Sequence, residues 1–101
     1  MKIRAKNGEQ TVDITLPATD MDIQYCMKCI GIEDIVPVCC ISEVWDEPYY
    51  FGFLKGQTVS MDELNFLARR LDGMTEYEKR VVGVYSSETG IREMKQLINL
   101  T

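Results

Sequence analysis

Met1-Lys2-Ile3-Arg4-Ala5-Lys6-Asn7-Gly8-Glu9-Gln10-Thr11-Val12-Asp13-Ile14-Thr15-Leu16 opens the chain, and the reading of this stretch decides the fold. Apolar and polar residues alternate on either side of Asn7-Gly8, the period of half-buried strands. An Asn-Gly pair tolerates positive φ at both central positions of a tight turn, so residues 1–16 are predicted to form an antiparallel β-hairpin. With that pair as the turn, Lys6 faces Glu9, Arg4 faces Thr11, Ile3 faces Val12, Lys2 faces Asp13 and Met1 faces Ile14. Met1, Ile3, Val12 and Ile14 then share one face, and opposite charges meet on the other.

Beyond the hairpin the period changes. Pro17 ends the second strand. Thr19 is placed to cap a helix whose first turn holds Asp20 and Asp22, with Ile23, Met27 and Ile30 on one face and Gly31 as its stop. Ile35-Val36-Pro37-Val38-Cys39-Cys40-Ile41 is a short β-branched run, predicted as a buried strand continuing towards Val44 and Trp45. Residues 46–56 are aromatic and turn-rich. Ser60-Met61-Asp62-Glu63 is a capping box, and Met61, Leu64, Leu67, Ala68 and Leu71 form the face of the helix it starts, which Gly73 stops. Thr75-Glu76-Tyr77-Glu78 starts a second helix in the same way, with Tyr77, Val81, Val84 and Tyr85 on its face, although Gly83 and the β-branched residues weaken it. A third follows Gly90, with Ile91, Met94, Leu97 and Ile98 inward. The expected fold is therefore α+β: an N-terminal hairpin plus strand with one helix over residues 1–56, then a small bundle of three short helices over 57–101, packed as one compact unit.

Composition bounds the function. The 101 residues carry a net charge of −5 and contain no histidine, which removes Ser–His and Cys–His catalysis and histidine-based zinc enzymes. No apolar run approaches the ~20 residues of a membrane span, and the N-terminus lacks the apolar core of a signal peptide. The chain thus reads as cytoplasmic, its four cysteines as reduced thiols. Cys26-x-x-Cys29 with Cys39-Cys40 has enough sulfur for zinc. However, adjacent strand residues face opposite ways and the first pair lies within a helix, so small buried residues are the favoured reading and no metal is expected. No phosphate loop, nucleophile turn or calcium-loop spacing occurs. Neither an enzyme nor a cofactor is indicated.

The charge is unevenly placed. Residues 7–68 hold eleven acids against Lys28 and Lys55, whereas residues 1–6 and 69–101 are net basic. Such a surface repels nucleic acid and attracts basic partners, including proteins built to bind DNA. Glu9 and Asp13 are expected to offset the hairpin's own bases. The remaining candidate surface is Asp20, Asp22, Glu33, Asp34, Glu43, Asp46, Glu47, Asp62 and Glu63, although capping also explains the last two. A separate candidate is an aromatic patch of Trp45, Tyr49, Tyr50, Phe51 and Phe53. With Asp46 and Glu47 beside it, that patch suits core packing or a protein partner better than nucleic acid.

Residues 61–78, Met61-Asp62-Glu63-Leu64-Asn65-Phe66-Leu67-Ala68-Arg69-Arg70-Leu71-Asp72-Gly73-Met74-Thr75-Glu76-Tyr77-Glu78, resemble the ArdA-type antirestriction proteins of plasmids, conjugative transposons and phage. An "E-L-N-x-L-A-x-x-L" helix and an "x-E-x-E" start to the next one carry the resemblance. Leu97-Ile98-Asn99-Leu100 is similar to a short helix of the family, and Leu16-Pro17-Ala18-Thr19 to the start of its divergent members. The resemblance implies an acidic, dimeric, non-enzymatic DNA mimic that occupies a type I restriction–modification enzyme, with carboxylates standing in for phosphates. The chain departs from that pattern in stopping at Thr101 and in its modest acidity. Residues 20–63 hold nine acids against two bases, equivalent to ~12 Å of duplex at one charge per ~1.7 Å. A homodimer or a further acidic segment is therefore expected if mimicry operates. The alternative is a small protein–protein interaction module using the aromatic surface.

Overall fold

The structure is a computed structural model that describes residues 1–45, 51–89, 94–99 and 101. Its first two strands are β1 (Lys2–Asn7) and β2 (Gln10–Thr15), the predicted hairpin. The register differs from the expected one by two residues. Asn7 pairs with Gln10, Arg4 with Asp13 and Ile3 with Ile14, so the turn residues are Gly8 and Glu9. Gly8 takes φ 63°, and among the described residues none other than glycine has positive φ, which excludes the Asn-Gly turn that needs Asn7 there. Asn7 has other work: its Nδ2 donates to the Ile30 carbonyl (2.7 Å), tying the hairpin tip to the end of the first helix. Faces survive a two-residue slip because the strand period is two. Ile3, Ala5 and Ile14 are buried, and Arg4 grips Asp13 through Nε–Oδ1 (2.8 Å) and Nη2–Oδ2 (3.3 Å). That hydrogen bond holds the Asp13 carboxyl below its ordinary pKa.

Helix α1 (Asp20–Cys29) starts where predicted. Thr19 Oγ1 accepts the Asp22 N–H (3.2 Å), and Ile23, Met27 and Ile30 are buried. Gly31 then turns the chain at φ 79°, and an added Cβ would stand 3.3 Å from the Gln10 side chain, so both backbone and space favour glycine. Strand β3 spans Val38–Val44, shorter at its start than expected. Ile35 and Val36 precede it and are exposed, correcting their reading as buried strand. Pairing begins only where β4 (Thr58–Ser60), a strand the periodicity did not reveal, lies alongside. The sheet order is β2-β1-β3-β4, antiparallel throughout. Opposite β1 the register of β3 shifts, Arg4 facing Glu43 and Ala5 facing Ile41, which leaves Ser42 as the extra residue. Ser42 Oγ donates to the Arg4 carbonyl (3.3 Å). Ile41 and Val44 are three residues apart and would face opposite sides of a regular strand; the bulge lets both enter the core.

A single 3-10 turn (Gly52–Leu54) leads to β4, which runs directly into α2 (Met61–Asp72). Ser60 Oγ accepts the Glu63 N–H (3.4 Å), and the predicted face is buried. At α3 (Glu76–Thr89) the capping box is reciprocal: Thr75 Oγ1 accepts the Glu78 N–H (3.2 Å), and Glu78 Oε1 accepts the Thr75 N–H (3.3 Å). Its orientation is the reverse of that expected. Tyr77, Val81, Val84 and Tyr85 are exposed, while Val82, Gly83 and Ser86 face inward. Ser86 Oγ donates to the Val82 carbonyl four residues back (2.7 Å), so its burial leaves no unpaired hydroxyl. Helix α4 (Met94–Asn99) packs on α2 and buries Leu97; Ile91 lies outside the described residues.

One apolar cluster joins Ile3, Ile14, Ile41 and Phe51 to Leu64, Leu67 and Leu97. The radius of gyration, 12.9 Å, is that of a folded domain of about this length. No helix among the described residues is long and apolar enough to cross a membrane.

Candidate functional site

Two helix starts and one loop meet at an open cleft. The capping geometry that begins α1 sets Asp20 at its first position, and the Ser60 cap sets Asp62 and Glu63 at the start of α2. What brings the two starts together is Asn65, a buried residue not singled out from sequence. Its Oδ1 accepts the Ala18 N–H (2.9 Å) and its Nδ2 donates to the Ala18 carbonyl (3.0 Å), so both polar groups of the residue before the Thr19 cap bond to one side chain of α2. Arg69 Nη2 adds a longer contact to the same carbonyl (3.4 Å). Residues 32–37 form the third wall. They are fixed at one end by the Ile32 N–H to the Met27 carbonyl (2.9 Å) and at the other by the Met61 N–H to the Pro37 carbonyl (2.9 Å).

Between these walls lies an open cleft made of adjoining depressions of about 370 and 380 Å³ that share Gln24, Ile35 and Pro37. A third depression continues past Phe66 to Ile98. Its apolar lining comes from Met21 and Tyr25 of α1, Ile35 and Pro37 of the loop, and Phe66 of α2, with the polar Gln24, Asn65 and Arg69 among them. Ile35 is 91% exposed and Met21 80%, unusual for large apolar side chains that share one concavity. Carboxylates border it. Glu33 and Asp34 stand along the loop, Asp20 at the head of α1, and Asp62 and Glu63 at the head of α2, against Lys28 and Arg69. None of these five acids makes an ion pair with another described residue.

The other candidates lie elsewhere or have another role. Asp22 is exposed on α1 and outside the cleft lining. Glu43 belongs to β3 and is bonded to Lys55 (Oε1–Nζ 3.0 Å), so its charge is already matched. Asp46, Glu47, Tyr49 and Tyr50 fall outside the described residues. Of the aromatic run, Phe51 is wholly buried and Phe53 partly so, their ring centroids 6.2 Å apart. Phe51 belongs to the interior and offers no surface to a partner, a correction to that candidate, while Phe53 packs against the core and stays partly exposed. Trp45 sits beside the bases of β1, with Lys2 Nζ 5.2 Å and Arg4 Cζ 4.8 Å from its ring.

The thiols do not converge. Cys26 and Cys29 are on α1, Cys39 is buried in β3 and Cys40 is half-buried on the adjacent position. Among the described residues, no three groups of metal-ligating type gather. Burial, with Cys40 alongside, pushes the Cys39 thiol up to about 11. At neutral pH it is therefore the thiol rather than the nucleophilic thiolate. With iodoacetamide at pH 7.5 the exposed Cys29 is expected to be alkylated first and Cys39 only on unfolding, as intact-mass and peptide spectra would show. Early labelling of Cys39 would contradict its burial.

Fold and surface together define a class: an α+β domain of four antiparallel strands and helices, with an acid-rimmed apolar cleft between two helix starts. Compared with known proteins, the chain matches no family model, and no curated protein or solved structure is significantly similar to it.

Proposed function

We propose that this chain is a non-catalytic binding protein of the cytoplasm that holds a basic protein partner through its acidic face. The observation that carries the reading is the convergence of Asp20, Glu33, Asp34, Asp62 and Glu63, from three separate segments, around adjoining depressions that hold two cations, Lys28 and Arg69, with none of the five in an ion pair with another described residue. Unpaired carboxylates around a partly apolar surface raise association rates with cationic proteins and repel nucleic acid itself.

The resemblance of residues 61–78 to ArdA-type proteins supports a narrower form. In it, the partner is the DNA-binding groove of a type I restriction–modification enzyme, and the chain acts as an antirestriction DNA mimic of a mobile element. Most of the resembling residues are structural: Leu64, Asn65, Leu67, Ala68 and Leu71 are buried, leaving Asp62 and Glu63 at the cleft. A homodimer would extend the small acidic area. The apolar part of the cleft lining favours protein–protein contact over pure phosphate mimicry, because phosphates have no apolar counterpart.

Binding to a purified type I restriction–modification enzyme is expected to weaken about tenfold or more between low and physiological salt and to compete with duplex DNA. An affinity indifferent to salt would overturn the acidic-surface reading. Salt-dependent binding that duplex DNA does not displace would overturn the mimicry and leave the broader reading standing.

A further inference from the structure

We infer that the cleft is the docking groove for a cationic amphipathic helix of the partner, an inference that rests on the acidic-surface reading and names the element it binds. Three observations lead there. Four large apolar side chains in its lining, Met21, Tyr25, Ile35 and Phe66, are exposed and unused by the core. Acids line both adjoining depressions, Glu33 and Asp34 from the loop in one and Asp20 and Asp62 from the two helix starts in the other. The walls are two helices and a loop, and none of the described strands lines the cleft.

The last point selects the occupant's backbone. An extended segment gains affinity by completing a sheet edge, and none of the described strands offers one here. An occupant that leaves its backbone groups unpaired against apolar side chains pays for the missing hydrogen bonds; a helix satisfies them internally. Its side chains follow from the surface. A narrow apolar stripe meets Ile35 and Phe66, and lysine or arginine beside it meets the acids of both depressions. The unbranched side chain of Met21 adapts to different apolar partners. A second copy of this chain is a poorer fit, because at a net −5 it would bring acids against acids.

The probe is a fluorescently labelled synthetic helix of leucine and lysine with all leucines on one face, titrated into the full chain and read by anisotropy. A scrambled peptide of the same composition and a leucine–glutamate version serve as controls. The facially ordered cationic helix is expected to bind, and the controls about tenfold more weakly or not at all. Ile35→Ser with Phe66→Ser, both exposed and therefore compatible with folding, should weaken binding about tenfold. Glu33→Gln with Asp34→Asn should weaken it and flatten its salt dependence. Tyr77→Ser on the exposed face of α3 should leave it unchanged. Equal binding of the scrambled peptide, or no effect of the serine pair, would overturn the groove while a preserved salt dependence kept the acidic-surface reading. Binding indifferent to salt would defeat both. Self-association abolished by the serine pair would instead make a second copy the occupant and overturn the inference.

Discussion

Phe51→Ala is expected to lower the unfolding free energy by about 3–4 kcal/mol, the cost of deleting a fully buried ring together with the cavity left behind. Phe51 has no exposed surface and lies in the same cluster as Ile3, Ile41 and Leu64, so the packed side chains around it would collapse only partly into the gap. Domains of this size are stable by only about 5–15 kcal/mol, so the loss is a large fraction of the total. Urea denaturation followed by circular dichroism should show the midpoint falling by about 2–3 M at unchanged slope. A shift below about 0.5 M would mean that the ring is not packed in the interior. The result also bears on function. If Phe51→Ala lost partner binding, the loss would report unfolded protein rather than a missing contact. Trp45→Ala is the informative substitution for the aromatic surface, since that ring is partly exposed and lies beside Lys2 and Arg4.

The elements that could be read from sequence are those whose signal is local. Thr19, Ser60 and Thr75 were legible as caps because the hydroxyl that accepts a helix N–H sits at a fixed offset from it. The hairpin was legible in its faces but not its register, because the Asn7 amide is used 23 residues away at Ile30, which no turn rule contains. β4 is three residues long, too short for a period, and exists because β3 lies beside it. For α3 the periodicity identified an amphipathic helix and the wrong stripe. Tyr77, Val81 and Tyr85 are the more apolar face, yet the side bearing Gly83 and Ser86 is the one that fits against the body.

For the candidate site the same division holds. Asp20, Asp62 and Glu63 were placed at helix starts by their caps, but only the folded chain brings those starts together with Glu33 and Asp34. The apolar lining of the cleft was missed because Ile35 looked like strand. A signal was nonetheless present: Met21, Tyr25 and Phe66 all fall off the apolar stripes assigned to their helices, and large apolar residues on the solvent side of a helix mark a contact surface.

The device that assembles this cleft gives the second large effect. Asn65→Ala is expected to cost about 2–4 kcal/mol, because it leaves the part-buried Ala18 N–H without its partner and the Ala18 carbonyl with only the longer Arg69 contact. Asn65→Leu fills the space without restoring either bond, so it should remain at least about 2 kcal/mol less stable than the natural chain. Full recovery in Asn65→Leu would show that the position needs volume and not hydrogen bonds. Asn65→Asp keeps an acceptor for the Ala18 N–H but turns carboxylate oxygen towards the Ala18 carbonyl. Its carboxyl should titrate above the ordinary range, and the variant should gain stability relative to the natural chain as pH falls through that raised value. Urea unfolding at pH 7 and pH 4.5 reads the sign directly. The link to function is geometric. Ala18 immediately precedes the Thr19 cap, and Asp62 lies three residues before Asn65 on the same helix. Loosening this one side chain therefore frees the start of α1 from that of α2, and the carboxylates of Asp20 and Asp62 lose their fixed separation. Under conditions where Asn65→Leu is still folded, faster hydrogen exchange at the Ala18 amide and weaker binding of the cationic helix should appear together, because the cleft exists only while those two helix starts are held to one another.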